Sequence, residues 1–333
     1  MKKIILKAGE GKRIKKGHKW VFSNEIKRFE TLAISDIDDN KSQHLAHLYD
    51  NNDEFIGKGF YNPHSLIAFR LISVKDENFD IAFWTNRIKA AYDFRKKIYP
   101  KEKSYRVVFG ESDDMSGVII DKYEDYLCAQ FICSGAEAFK EDILNAAKLV
   151  FEPKGIIIRN DGNLRKLENL NPENEIFFGE NSDNIIIEEN GLKFYVDLIN
   201  GQKTGFFFDQ RDNRKKLADY AKDKKVLDCY CHTGAFGIYA KKAGAAEIVF
   251  VDSSRPALET AEKNFSLNNF DNFNGIVADA LQYMESPEAK KEGFDIINID
   301  PPGLIKSKKD FNAGFKHYVK VVSSALALLK SGG

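Results

Sequence analysis

Four aspartates in the last third of the chain, Asp228, Asp252, Asp279 and Asp300, each close a short apolar run. Between the first two runs the turn C-Y-C-H-T-G-A-F-G, centred on Thr233, Gly234 and Ala235. Strand, glycine turn, helix, strand and terminal acid is the geometry that binds dinucleotides and S-adenosylmethionine. A dinucleotide needs G-x-G-x-x-G, because its pyrophosphate rests on backbone amides at the helix N-terminus. Here only Gly234 and Gly237 are present, and Asp228 aims a negative charge at the crevice. That charge repels pyrophosphate and attracts a sulfonium-bearing amino acid. The expected cofactor is therefore S-adenosyl-L-methionine, and a nicotinamide oxidoreductase is disfavoured. Asp252, eighteen positions after Gly234 and followed by Ser253, suits the ribose hydroxyls. Asp279 suits the adenine amino group, with Ala280 and Leu281 against the ring. A lone aspartate of this kind is often just a helix cap; four in succession, one in a glycine turn, indicate a site.

Two further stretches join them. In "NIDPPGLIKSKK" two prolines stiffen the chain after Asp300, fixing a carboxylate that can hold the polar edge of a flat substrate. Lys306 and Lys308 follow, placed for phosphates. "GQKTGFFFDQRDNR" is dense for a connector; Phe208 is expected to wall the cofactor and Gln210 to hydrogen-bond it, with other phenylalanines in the core. The four cysteines (Cys128, Cys133, Cys229, Cys231) lack zinc spacing and read as small buried apolar residues. No metal is expected. His232 reads as a packing or hydrogen-bonding residue rather than a base.

The positioning elements divide the chain into three. Residues 1–75 hold short apolar runs split by Gly, Asn, Asp and Pro, a β-rich module. Residues 76–183 read as a separate α+β domain: a helix with Ile81, Trp84, Ile88, Ala91 and Phe94 on one face, two strands, a second helix with Phe139, Ile143, Ala147 and Val150 inward, and a strand. Residues 184–333 open with a hairpin turning at Asn190–Gly191. Strands and helices then alternate, which predicts a parallel, doubly wound sheet with its ligand at the carboxyl ends.

Lys+Arg and Asp+Glu each number 50, a balance unlike that of a generic nucleic-acid coat. Residues 1–28, however, carry ten Lys/Arg against two Glu, which favours a phosphate-bearing partner. Lys12, Arg13, Lys16, His18 and Lys19, near Trp20, are the expected RNA-gripping residues. No apolar stretch reaches membrane-span length, and the few cysteines fit a reducing, cytoplasmic location.

With these residues in view, the chain resembles the RlmI-like family of 23S rRNA methyltransferases over nearly its full length. "LKAGEGKRIKKGHKWVFSNEI" is similar to that family's N-terminal PUA module, an RNA-binding β-barrel. "YRVVFGESDDMSGVIIDKY" and "RKLENL" resemble its middle domain. "GQKTGFFFDQRDNR", "VLDCYCHTGAF", "VDSS" and "DPPGLIKSKKD" resemble motifs of its Rossmann-like class I methyltransferase domain. The resemblance implies an α/β catalytic domain with S-adenosylmethionine, an RNA substrate and 5-methylcytosine as product. Asp300 matches the acid that holds cytosine N3. The family's nucleophilic cysteine lies in a Ser-Cys-Ser-like motif beyond the helix that follows D-P-P, and the chain stops at Ser331-Gly332-Gly333. The resemblance therefore implies a shortened enzyme with an incomplete sheet. Its "FDIINID" strand is expected to be a bare apolar edge, giving low solubility unless a second copy covers it, as in a homodimer. Methylation of a guanine nitrogen, which needs no thiolate, is the alternative within the class. A non-catalytic RNA-binding protein that keeps the cofactor crevice is the alternative outside it.

Overall fold

A computed structural model describes residues 1–32, 39–179, 185–199, 201, 205–305 and 307–333. They form two compact units, Met1–Ile185 with Val196–Phe206, and Ile186–Tyr195 with Phe207–Gly333.

The first unit opens with strands β1 (Lys2–Leu6), β2 (Trp20–Val21), β3 (Ile26–Thr31), β4 (Leu45–Tyr49), β5 (Phe55–Tyr61) and β6 (Phe69–Ser73), with short helices α1 (Gly11–Lys15) and α2 (Asp39–Ser42). The strands make one sheet in the order β2-β6-β5-β4-β1-β3, antiparallel except for β1 with β4. Ile4, Leu6, Val21, Leu48 and Phe69 fill its core. The β-rich reading of this stretch holds.

Helix α3 (Ile81–Ile98) follows, capped by Asp80, whose carboxylate accepts from the Phe83 amide at 2.8 Å. Trp84, Ile88 and Ala91 are buried as expected, but Ile81 and Phe94 are exposed. The apolar stripe is therefore narrower than the periodicity suggested. Strands β7 (Tyr105–Phe109), β8 (Val118–Tyr123) and β9 (Tyr126–Phe131) form a meander. The expected second helix is two, α4 (Ser134–Ala138) and α5 (Lys140–Phe151), broken at Phe139. Phe139, Ile143 and Ala147 are buried, while Val150 is half-buried. β10 (Gly155–Asn160) and β11 (Glu173–Gly179) complete a five-stranded sheet, β11-β10-β9-β8-β7.

The hairpin of β12 (Ile185–Glu189) and β13 (Leu192–Val196) alternates buried and exposed residues. Asn190 and Gly191 take φ of 51° and 77°, the two left-handed positions of a type I′ turn.

The second unit contains α6 (Arg211–Ala218), β14 (Lys225–Cys229), α7 (Ala235–Lys242), β15 (Glu247–Asp252), α8 (Arg255–Leu267), β16 (Gly275–Val277), α9 (Ala280–Glu285), α10 (Pro287–Glu292), β17 (Ile296–Ile299) and α11 (Phe311–Leu326). Its four-stranded sheet is all parallel, in the order β16-β15-β14-β17. The chain steps outward from β14 to β16 and then returns to the other side of β14, so the topological switch point lies between β14 and β17. Among the described residues β17 pairs along its length only with β14, the edge position expected of it. Leu227, Val249, Val251, Leu281, Met284 and Val321 form the core cluster on one side of the sheet.

Candidate active site

The turn after β14 is built from backbone conformations that only a few residues tolerate. Tyr230, His232 and Gly234 all have positive φ, at 58°, 50° and 77°. Two of these are non-glycine residues in the left-handed region, a strain that persists where surroundings over-determine it. The surroundings here are specific. Asp252, the last residue of β15, accepts from the His232 amide through Oδ2 and from the Ser254 amide through Oδ1, both at 2.9 Å. Asn264, buried on α8, donates to the Thr233 carbonyl at 3.1 Å. Gly234 and Gly237 are required by contact: a Cβ would come within 2.9 Å of the Ala261 Cβ at the first and 2.2 Å of the Phe250 ring at the second.

Asp228 departs from the expectation. It does not project into a crevice; the carboxylate is fully buried, accepting from the Gly237 amide at 2.9 Å and from Asn298 Nδ2 at 2.8 Å. Backbone pairing of Asp228 with Asn298 puts both side chains on the same side of neighbouring strands. Asp228 is therefore a positioning residue that clamps the glycine turn and β17 together across the switch point. Burial raises its pKa from the ordinary aspartate range to about 6, its two hydrogen bonds oppose that rise, and Asp300 and Asp252 add to it. Three carboxylates thus share one region of negative potential, which fits a cation such as the sulfonium and ammonium of S-adenosylmethionine.

The folded pKa of Asp228 is raised above the unfolded one, so the group favours the native state fully below pH 4, and this contribution is lost as pH rises through 6. Moving from the ordinary aspartate value to about 6 corresponds to about 3 kcal/mol. Urea unfolding of the free protein at pH 4, 5, 6 and 7 is expected to show a decline of that order that Asp228→Asn flattens. A variant whose pH slope matches the wild type over this window would remove the assignment.

Asp300 lies exposed just after β17, and the structure brings Gln210 to it, Nε2 donating to Oδ2 at 3.1 Å. Asn213, one turn on in α6, donates to the Gln210 Oε1 at 2.7 Å and so turns the amide NH2 toward Asp300. Phe207, rather than Phe208 alone, meets the turn: its ring lies 5.3 Å from that of His232, edge on. Phe208 is half-buried beside Arg211. Asp279 caps α9, accepting from the Gln282 amide at 2.9 Å, and its exposed carboxylate keeps acceptor capacity. Ala280 and Leu281, however, are packed into the core beneath the sheet and offer no face to a ring. Ser253 is exposed beside Asp252, Thr233 is half-buried and Ala235 buried at the start of α7.

Gln202, Lys203, Thr204 and Lys306 lie outside the described residues. Lys308 is exposed. At the N-terminus Lys12 and Lys16 are exposed, but Arg13 is committed to Glu25 at 2.5 Å and to His18, and Lys19 to Asp114 at 2.5 Å. Lys12 and Lys16 are thus more exposed than Arg13, His18 and Lys19, which are half-buried in these contacts.

All four cysteines are buried. Burial pushes the Cys133 thiol up to about 11 and those of Cys128, Cys229 and Cys231 further still. None is a thiolate at neutral pH, and the described residues contain no metal-ligating cluster. Sequence reasoning missed Asn298, Asn213 and Asn264. Each is a neutral amide acting through another group, and only pairing register or helix packing reveals it.

Comparison with known proteins points to the same cofactor. A PUA-like domain model matches residues 4–74, and an S-adenosylmethionine-dependent methyltransferase model matches residues 165–333. Ribosomal RNA large subunit methyltransferase I of Photobacterium profundum is 34% identical over 336 residues, covering 99% of this chain and 83% of the relative. The protein of the same name from Pseudoalteromonas atlantica is 35% identical with the same coverage. Among solved structures, a candidate methyltransferase complexed with SAH aligns at 25% identity and a TM-score of 0.82, covering 99% of this chain and 83% of the other. A candidate SAM-dependent methyltransferase from Streptococcus mutans aligns at 24% and 0.81 with the same coverage and shares the fold. Identity of 34% over 99% of this chain and 83% of the relative, with an S-adenosylmethionine-dependent methyltransferase model over residues 165–333, places this chain in the ribosomal RNA large subunit methyltransferase I family of S-adenosylmethionine-dependent enzymes.

Proposed function

We propose that this protein transfers a methyl group from S-adenosylmethionine to carbon 5 of a cytosine in 23S rRNA. The observation that carries the reading is the convergence at one switch point of the Asp252-held turn and the Gln210-oriented Asp300. The cofactor supplies a methyl on a sulfonium. Asp252 would hold the ribose diol through oxygens that already bind the turn, so that cofactor and loop order each other. Asp279, whose exposed carboxylate keeps acceptor capacity, would accept from the adenine amino group. Asp300 would hold the cytosine at N3 and share a proton with it as a thiolate adds to carbon 6. Carbon 5 would then take the methyl group from sulfur, leaving S-adenosylhomocysteine, and lose its proton to a base as the thiol is expelled. Methylation of a guanine nitrogen, which needs only an oriented lone pair and no thiolate, is the second reading.

Nucleoside mass spectrometry of 23S rRNA after incubation with the full chain and S-adenosylmethionine distinguishes the two. 5-Methylcytidine is expected, falling by about a hundredfold in Asp300→Asn while binding of S-adenosylhomocysteine is kept. A methylguanosine product would replace the first reading by the second. No product, with intact cofactor and RNA binding, would leave the chain a binder only.

A further inference from the structure

The connection from α3 to β7 reads R-K-K-I-Y-P-K-E-K, Arg95 to Lys103, a concentration of positive charge in a chain that is neutral as a whole. Arg95 is committed to Asp113. Lys96, Lys97, Lys101 and Lys103 are all exposed, and none of them enters an ion pair among the described residues. Lys122 on β8 joins them: its ammonium donates to the Lys103 carbonyl at 3.1 Å. Burial lowers its pKa, and Lys96 and Lys103 are close enough to push the same way against Glu124 and Asp125. Lys96, Lys103 and Lys122 therefore lie near one another, with Lys97 and Lys101 next to them along the chain.

Part of this has an ordinary explanation, since lysines in the last turn of α3 complement the helix dipole. That accounts for Lys96 and Lys97. It does not account for Lys101 and Lys103, which lie past the helix end. Nor does it account for Phe94 and Ile98, at 57% and 50% exposed. Phe94, Lys97 and Ile98 are spaced i, i+3, i+4 and so share one face of α3. Large apolar groups left in water beside clustered ammoniums are what a single-stranded nucleic acid engages: phosphates meet the lysines and unstacked bases meet the ring. A duplex would leave the ring without a partner.

We propose that this face of the middle α+β region is an RNA-binding surface for a single-stranded stretch, with Lys96, Lys97, Lys101 and Lys103 on the backbone and Phe94 under a base. It rests on the RNA-substrate reading and extends the RNA contacts beyond Lys12 and Lys16. Of the acids in and beside this stretch, Asp93 is paired with Lys89, Asp125 with Lys154 and Asp121 with Arg106, while Glu102 and Glu124 offset only part of the charge of the five lysines.

The test is fluorescence anisotropy of a short single-stranded RNA oligonucleotide and of transcribed 23S rRNA with the full chain, titrated at several salt concentrations. The combined variant Lys96→Gln, Lys97→Gln, Lys101→Gln and Lys103→Gln is expected to bind at least about tenfold more weakly, with the salt slope reduced by roughly 2 to 3. Phe94→Ala is expected to weaken binding about fivefold with an unchanged slope. Titration with S-adenosylhomocysteine should be unaltered in both, since all five side chains are exposed. Affinities and slopes matching the wild type would overturn the surface while leaving the RNA reading standing. A wild-type chain that binds neither RNA would overturn the RNA reading and this surface with it.

Discussion

Asp252→Ala is expected to weaken binding of S-adenosylhomocysteine by about a hundredfold or more. Two effects combine. In the reading proposed here the carboxylate makes two charge-assisted bonds to the ribose diol, each in the class worth about 1.5–3 kcal/mol. The same oxygens also accept from the His232 and Ser254 amides. Removing them frees His232 from its left-handed conformation at φ 50°, and the turn loses the contact that over-determines it. Asp252→Asn separates the two effects, because an amide oxygen can still hold one backbone N–H but cannot present two anionic acceptors. The alanine variant should therefore lose most, and the asparagine variant an intermediate amount. Isothermal titration calorimetry of the three proteins checks this. Affinities within about threefold of each other would remove Asp252 from the cofactor site.

The largest effect on stability is expected at Glu189, the last residue of β12. Its carboxylate is completely buried and accepts from Arg211 Nε at 2.8 Å, from Arg214 Nε and Nη2 at 2.9 and 2.6 Å, and from the Tyr239 hydroxyl at 2.9 Å. Arg211 and Arg214 are themselves buried. Such a cluster is weak evidence for net stabilisation, since desolvating three charges costs several kcal/mol each. Breaking it is another matter. Glu189→Ala leaves two guanidinium groups inside the protein without their carboxylate, a change that costs about 3–5 kcal/mol, a large part of an ordinary domain's stability. Replacing all three, as Glu189→Leu with Arg211→Met and Arg214→Met, should restore most of the loss, because no buried charge then remains. Urea denaturation of the two variants and the wild type is the measurement. A Glu189→Ala midpoint close to the wild type's would show that the arginines find other partners. The network also has a consequence for the site. It anchors the start of α6, and α6 carries Asn213 and follows Gln210, so the orientation of Asp300 depends on a hairpin residue well removed in sequence.

That dependence separates what could be read from the chain alone from what could not. The β-rich opening, the parallel order of the last third, the hairpin at Asn190–Gly191 and the aspartates at successive strand ends were all legible. Each rests on local rules: periodicity, turn residues needing positive φ, and short apolar runs closed by an acid. Local rules were also enough to place Asp252 at its strand end and Gly234 in its turn. They failed where a residue's role depends on what folds against it. Asp228 looked like a charge facing the ligand; burial by α7 and by Asn298 on the neighbouring strand made it an internal clamp instead. Ala280 and Leu281 looked like a ring-binding pair, but the first turn of α9 points them into the core. Arg13 and Lys19 have partners, Glu25 and Asp114, that no local pattern announces. In every such case the residue type fixed what the group can do, while its partner, distant in sequence and supplied only by the tertiary structure, decided which of those things it does.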